Sequence, residues 1–302
     1  MKILISGATG LIGSALADAL GRAGDHVVRL VRQRPRPGQA EVWWDPAAGE
    51  LDAASLEGLD AVVHLAGENI ATGRWTASKK ARIRASRVDG TRLLATALAT
   101  LAQPPKVLVT ASGVSVYGNR GDEPLDETSA PGQGFLADVC HEWEAASTPA
   151  TEAGIRAVAL RMGMVLAAHG GALARMLPPF RLGLGGRIGT GRQYVSWIAL
   201  DDLVAVFRHV LATESLVGPV NATAPNPVTN AQFAKAIGSV LHRPTFLGLP
   251  ATVARLMLGE MADALLLASV RAVPRKLQET EFVFQYPNVR SALQHLLIGP
   301  MA

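Results

Sequence analysis

The first thirteen residues constrain the fold of this chain more than any other stretch. An apolar run over residues 3–5 stops at Gly7, and Gly10 and Gly13 follow. From Leu11 onward, apolar residues recur with the period of a one-sided helix. The pattern predicts a buried strand, a glycine turn and a helix whose first backbone N–H groups can approach a phosphate. It therefore favours a dinucleotide-binding site over a plain strand-to-helix turn.

The same two patterns alternate along the first half of the chain. Strand-like apolar runs occur at residues 3–5, 26–31, 41–45, 60–67, 106–111 and 156–161, and helical patterns begin near residues 11, 74 and 135. Strands that alternate with helices indicate a parallel sheet covered on both faces. We therefore expect an α/β protein with a Rossmann doubly wound parallel sheet.

The later residues predict a smaller α+β region that shapes a pocket beyond the strand ends. The expected segments are a glycine-rich excursion over 163–191, an acid-capped helix after Trp197, a loop over 221–227, and helices from Thr229 and from Pro250 towards Leu267. We expect residues 1–165 to form the NADP-binding domain, completed by a last strand and helix from about 195–222. Residues 166–302 then form a substrate or lid region.

The end of the second predicted strand bears on the choice of cofactor. An acid about twenty residues after the glycines would bind the ribose 2′-hydroxyl of NAD, whereas an arginine favours the 2′-phosphate of NADP. The chain has Arg32 there, followed by Arg34 and Arg36. We therefore expect NADP, with Arg32 at its 2′-phosphate. For Arg34 and Arg36, a phosphate contact and a solvated loop remain open alternatives.

Composition excludes several other classes of protein. Of the 302 residues 49% are hydrophobic, and the net charge of +4 comes from scattered arginines, so we expect no nucleic-acid partner. Cys140 is the only cysteine, which excludes an internal disulfide and a multi-cysteine metal site and suits a reducing compartment. The apolar stretch 250–273 carries four charges and is too polar to span a bilayer. We expect a cytoplasmic protein with a small-molecule substrate, no metal and no membrane partner.

Several longer runs resemble one family. Over nearly its whole length the chain is similar to the extended short-chain dehydrogenase/reductases, the NAD(P)-dependent epimerase/dehydratase group. More narrowly, it resembles an atypical epimerase-family subgroup with a C-terminal domain of unassigned role, which would cover about residues 250–300 here. The matching runs are His64-Leu-Ala-Gly-Glu-Asn69-Ile, Ser86-Arg-Val-Asp-Gly90-Thr, Gly189-Thr-Gly-Arg-Gln193, Ser196-Trp197 and Gly218-Pro-Val-Asn221-Ala-Thr-Ala-Pro225.

The resemblance implies which residues bind NADP(H). They lie in the glycine turn, at two strand ends and on one helix, and they are Gly7, Thr9, Gly10, Leu11, Ile12, Gly13, Arg32, Leu65, Ala66, Gly67 and Arg87. For Arg87 a solvated helix face is the alternative. Paired helices form dimers in this family, so a homodimer is compatible with the resemblance.

The proton-transfer residues of the larger family are missing. That family uses a Tyr and a Lys four residues apart on a helix, whose ammonium lowers the pKa of the phenol, together with a Ser or Thr after the fifth strand. The sequence contains no Tyr-x-x-x-Lys; Phe135 and Val139 stand at those places and Gly113 at the hydroxyl position.

The nearby hydroxyl groups are the remaining catalytic candidates. These are Ser112, Ser115 and Tyr117, although Tyr117 could simply pack in the turn. Arg161 and Arg192 could hold an anionic substrate or have structural and surface roles. Two functions remain open: an NADP(H)-dependent oxidoreductase or epimerase-like enzyme, and a non-catalytic NADP(H)-sensing regulator that binds a protein partner.

Overall fold

One large sheet and two layers of helices organise the chain in a computed structural model that describes residues 1–35 and 38–299. The strands are β1 (Lys2–Ser6), β2 (His26–Val31), β3 (Glu41–Asp45), β4 (Glu50–Leu51), β5 (Ala61–His64), β6 (Val107–Gly113), β7 (Pro124–Leu125), β8 (Arg156–Met162), β9 (Met164–Ala167), β10 (Tyr194–Val195), β11 (Trp197–Ala199), β12 (Gly218–Ala222), β13 (Val228–Thr229) and β14 (Arg271–Ala272). The α-helices are α1 (Leu11–Arg22), α2 (Ala77–Ala99), α3 (Phe135–Ala145), α4 (Thr148–Glu152), α5 (Gly171–Arg181), α6 (Leu200–Ala212), α7 (Asn230–Leu241), α8 (Ala251–Leu258), α9 (Glu260–Ala262), α10 (Arg275–Glu279) and α11 (Val289–Ile298). Short 3₁₀ turns cover Ala53–Leu56 and Val114–Tyr117, and Asp263–Leu267 is a π-helical turn.

The central sheet has the strand order β12-β8-β6-β5-β1-β2-β3-β4. Neighbouring strands are parallel except for β4, which pairs antiparallel with β3. The chain moves outward from β1 in one direction and then from β5 in the other, so the direction reverses between these two strands. The predicted doubly wound α/β fold is confirmed, and such a reversal opens a ligand crevice at the carboxyl ends of the strands.

Side-chain alternation along β1 builds a core on each face of the sheet. Ile3 and Ile5 pack in one cluster with Leu16 of α1, whereas Leu4 packs in the opposite cluster with Leu94 of α2. Successive side chains of a strand point to opposite faces, so a fully apolar strand must be covered on both sides. This arrangement fixes β1 at the centre of the sheet and holds its carboxyl end at the crevice.

The C-terminal region has its own core, built from α5, α7 and α11 around β9 and β11. Its buried side chains include Leu173, Trp197, Phe233 and Leu293. Two-stranded ladders β10-β13, β11-β9 and β14-β7 complete this region. Among residues 1–35 and 38–299, no helix is both long and apolar enough to cross a membrane.

The predicted loop over 221–227 is wrong at its start. Asn221 and Ala222 lie in β12, where Asn221 is opposite Arg161 of β8. The side chain of Asn221 is fully buried and donates to the backbone carbonyls of Leu125 and Val273, so polar residues here extend a strand instead of ending it.

Two helix predictions also need correction. Helix α6 follows Ala199 without a capping side chain, because the buried Asp202 carboxylate accepts hydrogen bonds from the backbone N–H groups of Gln285 at 2.8 Å and Tyr286 at 3.0 Å. The helical pattern from Pro250 is interrupted at Gly259, whose φ of +62° is incompatible with a continuing right-handed helix.

Candidate cofactor and active site

The turn after β1 tolerates only glycine at two of its positions. Gly7 has a φ of +67°, and a Cβ atom there would lie 2.9 Å from the carbonyl carbon of Leu65. A Cβ atom at Gly13 would overlap the carbonyl oxygen of Gly7. The turn closes with a 3.0 Å hydrogen bond from the Gly10 N–H to the Gly7 carbonyl oxygen. The chain therefore passes unusually close to itself between β1, β5 and α1.

The start of α1 has no side-chain cap. Gly10 precedes the helix without a side chain to accept from its first N–H groups, and no acid lies in the first turn. These N–H groups and the positive end of the helix are therefore suited to an anion. Leu11, Ile12 and Gly13 supply the first turn, and the backbone at Gly170 approaches the side chain of Leu11 from the C-terminal region.

A buried Ser6–His64 pair joins the carboxyl ends of β1 and β5. Ser6 Oγ accepts hydrogen bonds from the N–H groups of Leu65 at 3.0 Å and Ala66 at 3.1 Å. It lies 2.7 Å from His64 Nδ1, so its own proton points to that nitrogen and the imidazole carries its proton on Nε2. His64 is a packed core histidine, with its ring edge against Trp44, and burial lowers its pKa to about 4.

Arg87 anchors the loop that follows β5. Its guanidinium donates to the carbonyl oxygens of Glu68 at 3.0 Å and Ile83 at 3.2 Å, and it lies over the Trp143 ring. A Cβ atom at Gly67 would lie 3.4 Å from this guanidinium, so glycine permits the close packing. Burial lowers the pKa of Arg87. The predicted contact of Arg87 with cofactor remains a prediction; within the described residues its guanidinium contacts backbone carbonyls, the Ser86 hydroxyl and the Trp143 ring.

The arginines after β2 have different surroundings. Arg32 is exposed, and its carbonyl oxygen accepts from the Trp43 indole at 3.0 Å. No carboxylate in the part of the chain that the structure describes pairs with the Arg32 guanidinium. Arg34 instead stacks on Trp43, 3.6 Å from the ring centroid. Arg36 lies outside the described residues.

Three contacts tie the loop after β5 and the start of α2 to the C-terminal region. The Arg175 side chain donates to the Ala71 carbonyl oxygen at 2.8 Å, and Arg74 donates to the Leu256 carbonyl oxygen at 2.9 Å. The Lys80 ammonium lies 2.9 Å from both carboxylate oxygens of Glu260. Together these contacts hold helices α5, α8 and α9 beside the crevice.

Ser112 belongs to a buried ionic cluster. Its hydroxyl donates to Glu144 Oε1 at 2.7 Å, and Arg161 binds the same carboxylate through Nε at 2.9 Å and Nη2 at 2.8 Å. Burial alone would lower the pKa of Arg161, but its hydrogen bonds and charge pairing with Glu144 raise that pKa. Arg161 therefore has a structural role here, the second of the alternatives that the sequence left open.

Tyr117 extends this cluster. Its hydroxyl accepts from Arg161 Nη1 at 3.0 Å and lies 2.7 Å from Asn221 Oδ1 and 2.9 Å from the Asp126 carbonyl oxygen. The side chain is fully buried, and burial raises its pKa despite the neighbouring Arg161. The phenol is therefore held in its neutral form inside the protein.

Ser115 differs from the other two candidates. It is half-buried in the 3₁₀ turn after β6, and its hydroxyl has no hydrogen-bond partner among residues 1–35 and 38–299. Cys140 Sγ lies 3.7 Å from where a Cβ at Gly113 would be, and burial raises the pKa of this thiol to about 11. The structure thus leaves Ser115 as the unengaged hydroxyl and makes Cys140 a packed, protonated residue.

Phe135 stands beside an open cavity where α2, α3 and α9 meet. Its ring packs edge-on against Trp75 with centroids 5.3 Å apart, and Lys80 Nζ lies 4.7 Å from its centroid. The cavity has a volume of about 810 Å³ and is also lined by Asp138 and Glu260. A second cavity of about 570 Å³ includes the exposed Arg192 and residues 190–194.

The structure brings the predicted cofactor-binding residues together but separates the predicted catalytic residues from one another in their surroundings. The glycine turn and the end of β5 form one continuous cradle, whereas Ser112 and Tyr117 lie in a cluster with structural partners. Sequence reasoning missed Ser6, Glu144 and Asn221 as the residues that fix this edge of the sheet. Ser6 had a visible signal, a polar residue at the end of an otherwise apolar strand, but nothing local in sequence paired Glu144 with Arg161.

Comparison with known proteins identifies relatives over the full length. The NAD dependent epimerase/dehydratase family matches residues 3–221, and a domain of unknown function (DUF1731) matches residues 249–296. Epimerase family protein MT2273 of Mycobacterium tuberculosis is 45% identical over 299 residues, covering 99% of this chain and 98% of that protein.

Two solved structures share both fold and sequence with the chain. The crystal structure of the human epimerase family protein SDR39U1 (isoform 2) with NADPH has a TM-score of 0.90 and 35% identity, covering 99% of this chain and all of that one. The structure of a nucleoside-diphosphate sugar epimerase from Corynebacterium glutamicum has a TM-score of 0.81 and 37% identity, covering 98% of this chain and 58% of that one.

Proposed function

This chain belongs to the NAD dependent epimerase/dehydratase family, and on that premise we propose that it binds NADP(H) and acts as an oxidoreductase or epimerase-like enzyme. Its substrate is a small carbonyl or alcohol compound or a sugar nucleotide. The sugar nucleotide class is suggested by the name of the Corynebacterium glutamicum relative, and the NADP(H) form by the human structure with NADPH.

The glycine cradle is the observation that carries this proposal. Glycine at positions 7 and 13 brings the backbone of β1, β5 and α1 together, and the uncapped start of α1 faces the crevice with its N–H groups. The residues present therefore fit a dinucleotide pyrophosphate. At the end of β2 the exposed guanidinium of Arg32 fits a 2′-phosphate, because no acid occupies that position.

Different residues of the chain would bind the cofactor and transfer the proton. When bound, NADP(H) supplies or accepts a hydride. Residues 7–13 bind the phosphates, Arg32 pairs with the 2′-phosphate, and the end of β5 with Arg87 positions the adjoining ribose. The substrate oxygen must also gain or lose one proton, and we assign Ser115 to pass it because its hydroxyl is accessible and unengaged. Ser112 instead orients Glu144.

A two-part experiment tests the proposal. Calorimetric titration should show that NADPH binds at least about tenfold more tightly than NADH, as one charge-assisted contact predicts. Nicotinamide absorbance should then change with a member of a panel of carbonyl compounds and sugar nucleotides, and Ser115→Ala should lower kcat while leaving NADPH affinity unchanged. Failure to bind either dinucleotide would refute the cofactor assignment, and binding without any turnover would refute the enzymatic one.

The second candidate function is an NADP(H)-sensing regulator that binds a protein partner without turnover. It is favoured by the absence of Tyr-x-x-x-Lys and by the burial of Ser112 and Tyr117 in hydrogen bonds to structural partners. Steady-state turnover that disappears with a substitution at Ser115 would exclude this function. The proposal also includes a homodimer. It further includes a reducing compartment such as the cytoplasm, because the chain has a single cysteine.

A further inference from the structure

An apolar surface in the C-terminal region has no partner within the described part of the chain. It consists of five side chains with large exposed fractions: Leu182 (74%), Leu184 (58%), Phe246 (78%), Leu256 (77%) and Met257 (63%). Single exposed apolar residues are common on proteins, but adjoining groups of them indicate a binding surface. None of the five lines either cavity described above.

The backbone brings Leu182 and Leu184 beside the segment of Phe246, and the chain from Phe246 continues into α8, which carries Leu256 and Met257. Gly186 bridges to Phe246, and Ile188 bridges to Leu249, so the turn after α5 lies beside residues 244–249. Pro250 then leads directly into α8. Leu182 and Leu184 flank Gly183, where a Cβ atom would contact the ring of Pro244.

Helix α8 presents three of its apolar side chains to solvent. Only Ala254 is buried, whereas Val253, Leu256 and Met257 are exposed at the i, i+3 and i+4 positions that share one helix face. A surface helix of a globular protein normally turns such a face towards the core. The apolar face of α8 therefore requires a partner outside the described chain.

The segments that supply this surface carry cations and no carboxylates. Residues 153–200 and 215–259, which supply all five apolar side chains, contain no Asp or Glu. Arg181, Arg187 and Arg243 are exposed there and form no ion pair within residues 1–35 and 38–299. Arg243 Nε donates to the Arg181 carbonyl oxygen at 2.9 Å, which places the Arg243 guanidinium at the end of α5. The nearest acids along the chain, Glu260 and Asp263, are paired with Lys80 and Arg255.

We propose that this basic apolar surface docks the protein peripherally on a membrane of anionic lipid. Protruding Leu, Met and Phe side chains can enter the headgroup boundary without a complementary partner shape, while nearby arginines are attracted to anionic headgroups. A protein partner would instead favour aromatic anchors that fill defined pockets, whereas four of the five exposed side chains here are Leu or Met. The charges in 250–273 exclude a spanning segment but not a contact of this kind, so the proposal departs from the expectation of no membrane partner.

Vesicle sedimentation of the full-length protein tests the proposal. The wild type should sediment with vesicles of equal parts phosphatidylglycerol and phosphatidylcholine, and at least about tenfold less with pure phosphatidylcholine or at about 1 M salt, where charges are screened. The double variant Phe246→Glu with Leu256→Glu should lose at least about tenfold of the binding. Arg181→Gln with Arg187→Gln should also weaken binding, but by a smaller factor.

Val283→Glu provides the matched control, because Val283 is 82% exposed and lies in neither carboxylate-free segment. It should sediment like the wild type, and circular dichroism should show that every variant unfolds at a similar temperature. The proposal is overturned if the wild type does not bind anionic vesicles or if the control loses binding equally. It is also overturned if light scattering shows that the double variant only converts a dimer to a monomer, since the occupant is then a second copy.

Discussion

Protonation of His64 should make the stability of this protein fall in mildly acidic solution. His64 is buried at the centre of the crevice edge, where its Nδ1 accepts from Ser6 and no described acid offsets a positive charge on the ring. Burial lowers the folded-state pKa to about 4 from the ordinary histidine value of 6.5. Between these two values the unfolded chain binds a proton that the folded protein excludes.

The sign and size of the effect follow from these two pKa values. The stabilising contribution of neutral His64 is present above about pH 6.5 and is lost as the pH falls towards about 4. The full difference corresponds to about 3 kcal/mol of unfolding free energy, and about 2 kcal/mol of it disappears between about pH 7 and about pH 5.

Urea unfolding of the wild type and of His64→Asn at a series of pH values measures the contribution of neutral His64 to the free energy of unfolding. The asparagine keeps an acceptor near Ser6 but does not titrate, so the variant should be less stable at pH 7 and the gap should shrink by about 2 kcal/mol at pH 5. His26→Gln serves as the control, because His26 is exposed on β2 and its removal should leave the wild-type pH dependence unchanged. A gap between wild type and His64→Asn that stays constant across this range would refute the reasoning.

Three further substitutions, two of them paired with a matched control variant, have defined outcomes. Gly13→Ala should lower NADPH affinity at least about tenfold in calorimetry because its methyl group overlaps the Gly7 carbonyl, whereas Gly21→Ala in the same helix meets nothing within 4 Å and should raise stability by about 0.5–1 kcal/mol. Arg32→Gln should weaken NADPH binding about ten- to hundredfold with little effect on NADH; an equal loss for both would remove Arg32 from the 2′-phosphate. Glu144→Gln should cost about 3–5 kcal/mol in urea unfolding because it leaves a buried guanidinium poorly paired, while Arg275→Gln, at an exposed pair, should cost less than about 1 kcal/mol.

Local patterns were sufficient to predict the frame of the sheet. The run Ile3-Leu-Ile5 has no polar alternation, and this predicts a strand covered on both faces, which is where the structure has β1. The glycine turn could also be predicted from sequence, because the strand, the glycines and the helix occur in the order that a phosphate site requires. Both features depend only on residues that are close in sequence.

The catalytic neighbourhood could not be predicted in the same way. Glu144 and Arg161 are seventeen residues apart on a helix and a strand, and their 2.8 Å pairing depends on how α3 crosses β8. The hydroxyl of Tyr117 is likewise fixed by Asn221, more than a hundred residues later in the chain. Sequence alone therefore left Ser112, Ser115 and Tyr117 as three candidates, with packing in the turn as the alternative for Tyr117, and tertiary packing distinguishes them.

The contacts of Arg74, Arg175 and Lys80 with the C-terminal region have a kinetic consequence. The loop after β5 is bonded to α5 and α8, and the Lys80–Glu260 pair holds the adjoining start of α2 to α9, so opening of this side of the crevice breaks contacts with all three helices and is not the motion of a free loop. The residence time of a dinucleotide in the cradle would then be set by how often these three polar contacts break together. A change at Glu260, remote from the glycine turn in sequence, would shorten that time while leaving the cradle itself intact.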